Sequence, residues 1–201
     1  MPFPVVDNRR LDVARLQEDL GAAVLAVKEN RGDTYVMVQR DAIVDALALL
    51  RDDPELNYEY FAECVGVDYL TWPHARDLDT RFEVVYNLYS VEHGERLFLK
   101  VGANEGEPIP TAKHIYLGAE YPEKEIADLF GIVFEGNELV GERFMLPDDW
   151  VGFPLRKDVG LGGEDVVFHE GTTGPAVEDL MMPHAGESFE GRTGSEDVSG
   201  R

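Results

Sequence analysis

Residues 81–101, RFEVVYNLYSVEHGERLFLKV, decide the fold. Phe82, Val84, Tyr86 and Leu88 alternate with Glu83 and Asn87. That is the period of two that sends successive side chains to opposite faces of a strand. His93-Gly94 supplies a turn and RLFLKV a returning strand, so the stretch predicts a β-hairpin.

Upstream, FAECVGVDYL (61–70) reads as a further strand and TWPHARDLDT (71–80) as a loop. AAVLAVKEN and TYVMVQR flank the turn-forming tetrad Asn30-Arg31-Gly32-Asp33, a second hairpin. Between the hairpins, Ile43, Val44, Leu47 and Leu50 line one face of a helix that Asp41 is placed to cap and Pro54 to close. Val13, Leu16 and Leu20 mark a first helix, with Gly21 where it should stop. The predicted order is α-β-β-α-β-β-β, a two-layer α+β domain with a mixed sheet over residues 1–103. Residues 104–120 are rich in Pro and Gly and are expected to be an irregular linker. A short helix and a long extended arm follow over 121–158, then an acidic, Gly-rich tail over 159–201. A tail of that composition lacks the apolar surface to order itself, so a partner is expected to order it. The back half as a whole is expected to borrow its core from a neighbour.

With 40 acidic against 18 basic residues the formal charge is −22, which repels nucleic acid phosphates and anionic lipid headgroups. No apolar run reaches the roughly 18–20 residues that cross a bilayer, so membrane association is expected only through partners. MPFPVVDNRRLD lacks the pattern of an export signal. Cys64 is the one cysteine; alone it makes no internal disulfide and supports no iron–sulfur cluster, and it is read as a small apolar residue. The five His are scattered, against a zinc site.

YPEKEIADLFGIVFEG (121–136) crowds carboxylates onto the short helix. Pro122 suits a first helical position, Glu123 and Glu125 the positive end of the helix dipole, and Gly131 the left-handed residue that ends a helix. Lys124 and Asp128, four apart, are expected to pair on the exposed side. A hydrolase using Glu125 and Asp128 as acid and base is the competing reading, but no nucleophile, metal motif or phosphate loop accompanies them. In the second block, LPDDWVGFPLRKD (146–158), two Pro and a Gly imply an extended arm, and Arg156 could grip a carboxylate in two-pronged fashion.

E-K-E-x-x-D-L-F-G-I-x-F-x-G followed by G-F-P-L-R-K-D resembles the 30 kDa subunit family of NADH:quinone oxidoreductase, the C subunit of respiratory complex I. Glu123, Glu125, Asp128, Gly131, Ile132, Phe134 and Gly136 match the first block, and Gly152, Pro154, Leu155, Arg156, Lys157 and Asp158 the second. Arg143 falls near the family's arginines, and A-x-x-x-G-V-D-Y-L-T-x-P (62–73) and R-F-E-V-V-Y-N-L (81–88) follow the family's strands. Lys124 stands for the usual Arg and Asn137-Glu138 for the usual His-Pro.

The resemblance implies a non-redox scaffold in the peripheral arm of a complex I-type enzyme, on the cytoplasmic face of the cell membrane. It would dock onto the D subunit of that enzyme, with the B and I subunits nearby, and support electron transfer from NADH to quinone coupled to proton translocation. It implies no catalytic, cofactor or metal residue in this chain; FMN, iron–sulfur clusters and quinone are expected in partner subunits. The residues expected at the partner seam are Glu123, Glu125, Asp128, Phe130, Arg143, Trp150, Pro154, Arg156, Lys157 and Asp158. The alternative within the same class is the equivalent subunit of a membrane-bound [NiFe] hydrogenase or a ferredoxin-accepting relative.

Overall fold

The structure, a computed structural model, describes residues 10–159, so the tail beyond Val159 and its expected ordering by a partner lie outside the described residues. Helix α1 (Leu11–Leu20) ends at Gly21, whose φ of 52° suits glycine. Strands β1 (Val24–Asn30) and β2 (Asp33–Val38) form the first hairpin. Its two-residue turn, Arg31-Gly32, holds both residues at positive φ, 55° and 93°. That matches the strand twist, as hairpin turns of this class do. Helix α2 (Ile43–Asp52) follows a single 3-10 turn, Arg40–Ala42. Asp41 is therefore not its cap; Ala42 occupies that place and offers no side-chain bond. Strands β3 (Tyr60–Asp68), β4 (Phe82–Ser90) and β5 (Glu95–Ala103) complete the predicted order.

The sheet runs β1-β2-β5-β4-β3. β3, β4 and β5 are an antiparallel meander, while β2 pairs with β5 in parallel, which makes the sheet mixed as expected. Register puts Tyr86 opposite Leu99 and Cys64, and Val84 opposite Val101 and Gly66. Hence Phe82, Val84, Tyr86 and Leu88 share one face with Leu97, Leu99, Val101 and Ala103, and all are buried. Val13 and Leu16 of α1 and Ile43, Ala46, Leu47 and Leu50 of α2 belong to the same core. Burying such side chains contributes about 1.5–3 kcal/mol each.

That core does not stop at residue 103. Ile109, Ala112, Tyr116, Ala119, Ile126, Ala127, Phe130, Ile132 and Phe134 are part of it. The stretch expected as an irregular linker carries strand β6 (Ile109–Pro110) and a 3-10 turn at Leu117–Ala119. β6 pairs in parallel with β7 (Phe134–Glu135), just beyond helix α3 (Glu120–Phe130). The Tyr116 hydroxyl donates to the Tyr58 carbonyl at 2.6 Å, tying the segment to the approach of β3. Pro and Gly spacing hid this because the burial comes from isolated apolar residues without a strand or helix period.

Candidate functional site

α3 lies against β3 on the sheet's covered face. The approach needs Gly66, where a Cβ would sit 2.9 Å from Ile126 Cγ2 and 3.1 Å from the Phe130 ring. Pro122 is the third helical residue, not the first, still within the turn where no backbone N–H is required. Gly131 ends the helix in the left-handed conformation (φ 73°, ψ 25°), as its position predicts.

Three carboxylates organise what surrounds this helix. Glu123 is fully buried; it accepts from the Thr111 hydroxyl, from the Ala112 amide at 2.7 Å and from Asn137 Nδ2 at 2.9 Å. Burial lifts its pKa above the usual Glu value, and the three donors with Lys113 only partly reverse this. A raised carboxylate can mark an acid catalyst. Here both carboxylate oxygens meet donors of the chain itself, and the group stitches β6, α3 and Asn137 together.

Asp128 is also buried. Its Oδ2 accepts from the amides of Phe144, Met145 and Leu146 at 3.1, 2.7 and 3.1 Å, and its Oδ1 from Arg143 Nη1 at 2.9 Å. Burial by itself would raise its pKa; Arg143 and the three amides outweigh that and hold it below the ordinary Asp value. The other guanidinium nitrogen of Arg143 reaches forward to the carbonyls of Trp150 and Gly152 at 2.8 and 3.1 Å. One carboxylate thereby folds the 143–146 turn, and one guanidinium links that turn to the arm.

The arm then returns across the end of α3 to the sheet. The Leu155 amide donates to the Leu129 carbonyl at 3.2 Å, and Arg156 Nε to the Phe130 carbonyl at 2.6 Å. These are carbonyls that a helix end leaves without partners. Arg156 also pairs with Glu105 at 2.5 Å and stacks on Phe153, its guanidinium carbon 4.5 Å from the ring centre. Asp68, at the end of β3, is the third organising carboxylate. It accepts from the Lys157 amide at 2.9 Å and pairs with Arg81 at 2.9 Å; Arg81 also holds Asp158 at 2.9 Å. Burial alone would raise the pKa of Asp68; Arg81 and the amides of Lys157 and Leu70 together bring it down.

The expected seam residues are thus brought together, but most bind this chain. Glu123, Asp128 and Phe130 are buried within this chain. Arg143, Trp150, Pro154 and Arg156 are half-buried, whereas Glu125, Lys157 and Asp158 are exposed. The expected Lys124–Asp128 pair is absent: Asp128 is taken by Arg143, and Lys124 Nζ lies 5.5 Å over the Phe144 ring. That also removes the acid/base pair of a hydrolase, because Asp128 has its oxygens saturated and Glu125 stands out in solvent. Cys64 is buried, with its thiol pKa pushed up by burial. Asp68, Arg81, Thr111 and Glu105 were not singled out from sequence. Asp68 lay in plain view in the G-V-D-Y-L match, but its role depends on a partner 89 positions away.

The outward side of this assembly is apolar. Tyr121, Val133, Phe144, Met145, Val151, Leu155 and Val159 are exposed, Val151 to 93%. Ala127, Gly131, Val133, Val140, Arg143 and Phe153 line a groove of about 270 Å³ beside them. Among the described residues no group of His, Cys, Asp and Glu could hold a metal ion, and no helix is long and apolar enough to cross a membrane.

Residues 36–165 match the family described as the respiratory-chain NADH dehydrogenase 30 Kd subunit. The C subunit of NADH-quinone oxidoreductase from Roseiflexus castenholzii is 46% identical over 157 residues, 78% of this chain and 86% of that protein. The corresponding protein of Geotalea uraniireducens is 39% identical over 162 residues, covering 80% and 93%. Among solved structures, a trypsin-resistant fragment of Nqo5 superimposes with a TM-score of 0.55 at 32% identity, over 63% of this chain and 98% of the fragment. A chain of the membrane-bound sulfane sulfur reductase, an archaeal respiratory membrane complex, superimposes at 0.61 with 28% identity, over 74% and 84%.

Proposed function

The chain belongs to the family of the respiratory-chain NADH dehydrogenase 30 Kd subunit, and from that premise we propose that it is a non-redox structural subunit in the peripheral arm of a complex I-type NADH:quinone oxidoreductase. It docks onto the D subunit, with the B and I subunits as neighbours, at the cytoplasmic face of the cell membrane. FMN, the iron–sulfur clusters and quinone belong to those partners. The part of this chain is to fix their geometry while electrons pass to quinone and protons are translocated.

The observation that carries this reading is the two-sided arm. Its inner side is saturated by Asp128, Arg143, Arg156 and Asp68. Its outer side offers Phe144, Met145, Val151 and Leu155 to solvent. An apolar stripe on a rigidly held segment is what a permanent interface requires. Asp128 is consumed in holding the arm, and Glu123 in tying α3 to the residues after β6 and to Asn137.

The test is assembly against turnover. Met145→Asp with Val151→Asp alters only the outer side, and Arg156→Ala releases the inner one. Both are expected to lower intact complex on native gels at least about fivefold while NADH:quinone turnover per assembled complex stays within about twofold. Full assembly with turnover abolished would overturn the proposal. The likeness to the sulfane sulfur reductase chain favours one second reading, the equivalent subunit of a membrane-bound [NiFe] hydrogenase or ferredoxin-accepting relative. Paired Cys-x-x-Cys motifs in the neighbour equivalent to the D subunit would mark the hydrogenase.

A further inference from the structure

β3 is an edge strand whose backbone, among the described residues, is bonded only to β4, and the Leu117–Ala119 turn approaches it at Phe61. Among the described residues the strand pairs with β4 alone, and residues 60–67 make no further backbone–backbone bond. α3 packs on its face, at Gly66, not along its edge. Edge strands are normally blunted by Pro, Lys, short length or burial. β3 has nine residues, YFAECVGVD, with no Pro, Lys or Arg. Tyr60, Glu63 and Val65 are exposed, and the register shift at Phe61/Glu63 interrupts only one end. The opposite edge differs: β1 carries Lys28, held by Asp77 at 2.5 Å, and its own bulge.

Arg81 and Lys157 meet β3 at its Asp68 end, whereas the exposed charges on and just before its first half, Glu59 and Glu63, are acidic. Glu59 just before β3, Glu63 within it and Glu125 on α3 are exposed carboxylates with no cation among the described residues paired to them. Glu63 lies on β3, and Glu125 on the helix that packs against β3 at Gly66. A second copy is a poor occupant, since pairing two β3 edges brings Glu63 toward its own image between chains of charge −22. The chain's own residues 160–201, with nine acidic and two basic side chains, are opposed for the same reason.

We propose that the free edge of β3 is a strand-addition site for an extended, Lys- or Arg-bearing segment of a neighbouring protein in the complex. Main-chain bonds give the added strand its register, and Glu59, Glu63 and Glu125 select its charge. The inference rests on the chain being one component of a larger complex, and it adds a second contact apart from the arm.

Hydrogen exchange on peptides spanning 59–68 tests it, comparing the isolated full chain with the chain in purified complex. Alternate β3 amides, those facing away from β4, should exchange at least about tenfold more slowly in the complex. Zero-length carbodiimide coupling should join Glu63 or Glu125 to a lysine of another subunit, and E63Q/E125Q should abolish that link while the isolated chain melts unchanged. Equal exchange in a complex that has formed overturns the edge site and leaves the proposed function standing. Coupling to this chain's own termini or to a second copy also overturns it. A chain that enters no complex overturns both.

Discussion

Asp128→Asn separates a structural carboxylate from a catalytic one. The substitution keeps size and one acceptor oxygen but removes the charge. In the native structure three amides and one guanidinium nitrogen converge on this buried group, none farther than 3.1 Å. Hydrogen bonds to a charged acceptor contribute about 1.5–3 kcal/mol each, neutral ones about 0.5–1.5. Losing roughly 1 kcal/mol at each of the three amides, with Arg143 left facing an amide nitrogen, gives about 2–4 kcal/mol after allowing for non-additivity. At 1.4 kcal/mol per tenfold, the amides of Phe144, Met145 and Leu146 should exchange about 30- to 700-fold faster than in the wild type. The pH dependence has a definite sign. Because the folded pKa is depressed, the stabilisation is complete above the unfolded value near ~3.9 and disappears as pH falls through the folded one. D128N has no such acid-side loss. Exchange at these three amides within about threefold of wild type would refute the reasoning.

Gly131→Ala combines left-handed strain of about 1–2 kcal/mol with a Cβ 2.6 Å from both Arg156 Nη2 and the Phe153 ring. A total near 2–3 kcal/mol lowers Tm by about 4–12 °C in a calorimetric scan, and an unchanged Tm would show that the arm is not where it is described. Glu123→Gln tests the opposite electrostatic sign. The folded pKa of Glu123 is raised, so its contribution is greatest below the unfolded value near ~4.3 and declines as pH rises through the folded one. The stability of wild type relative to E123Q should therefore fall as pH rises above about 4 through the folded pKa in denaturant titrations; a constant difference contradicts it.

The fold was legible where residues repeat. The alternation of Phe82, Val84, Tyr86 and Leu88 and the spacing of Ile43, Leu47 and Leu50 each survive as a buried face. Two hairpins, two helices and the order of the first seven elements follow from such periods, and Gly131 from its place after an apolar run. The seam was legible only in part. Glu123, Asp128 and Arg156 stood out as charges, and charge suggests a surface; all three are instead turned inward, satisfied by amides, carbonyls and Arg143. Sequence carries no mark of a backbone amide that needs an acceptor 17 or 89 positions away. Asn137 illustrates the same limit: a departure from the family pattern proves to be the donor that meets Glu123.

The tie between Lys157 and Asp68, with Arg81 bridging to Asp158, has a kinetic meaning. A strap already laid down before encounter forfeits little freedom when a second protein meets it, so the docking proposed for residues 143–158 would be rigid-body capture more than folding upon contact. The conformational cost of that stretch falls on the synthesis and maturation of this polypeptide alone, and its association should be governed by collision and orientation.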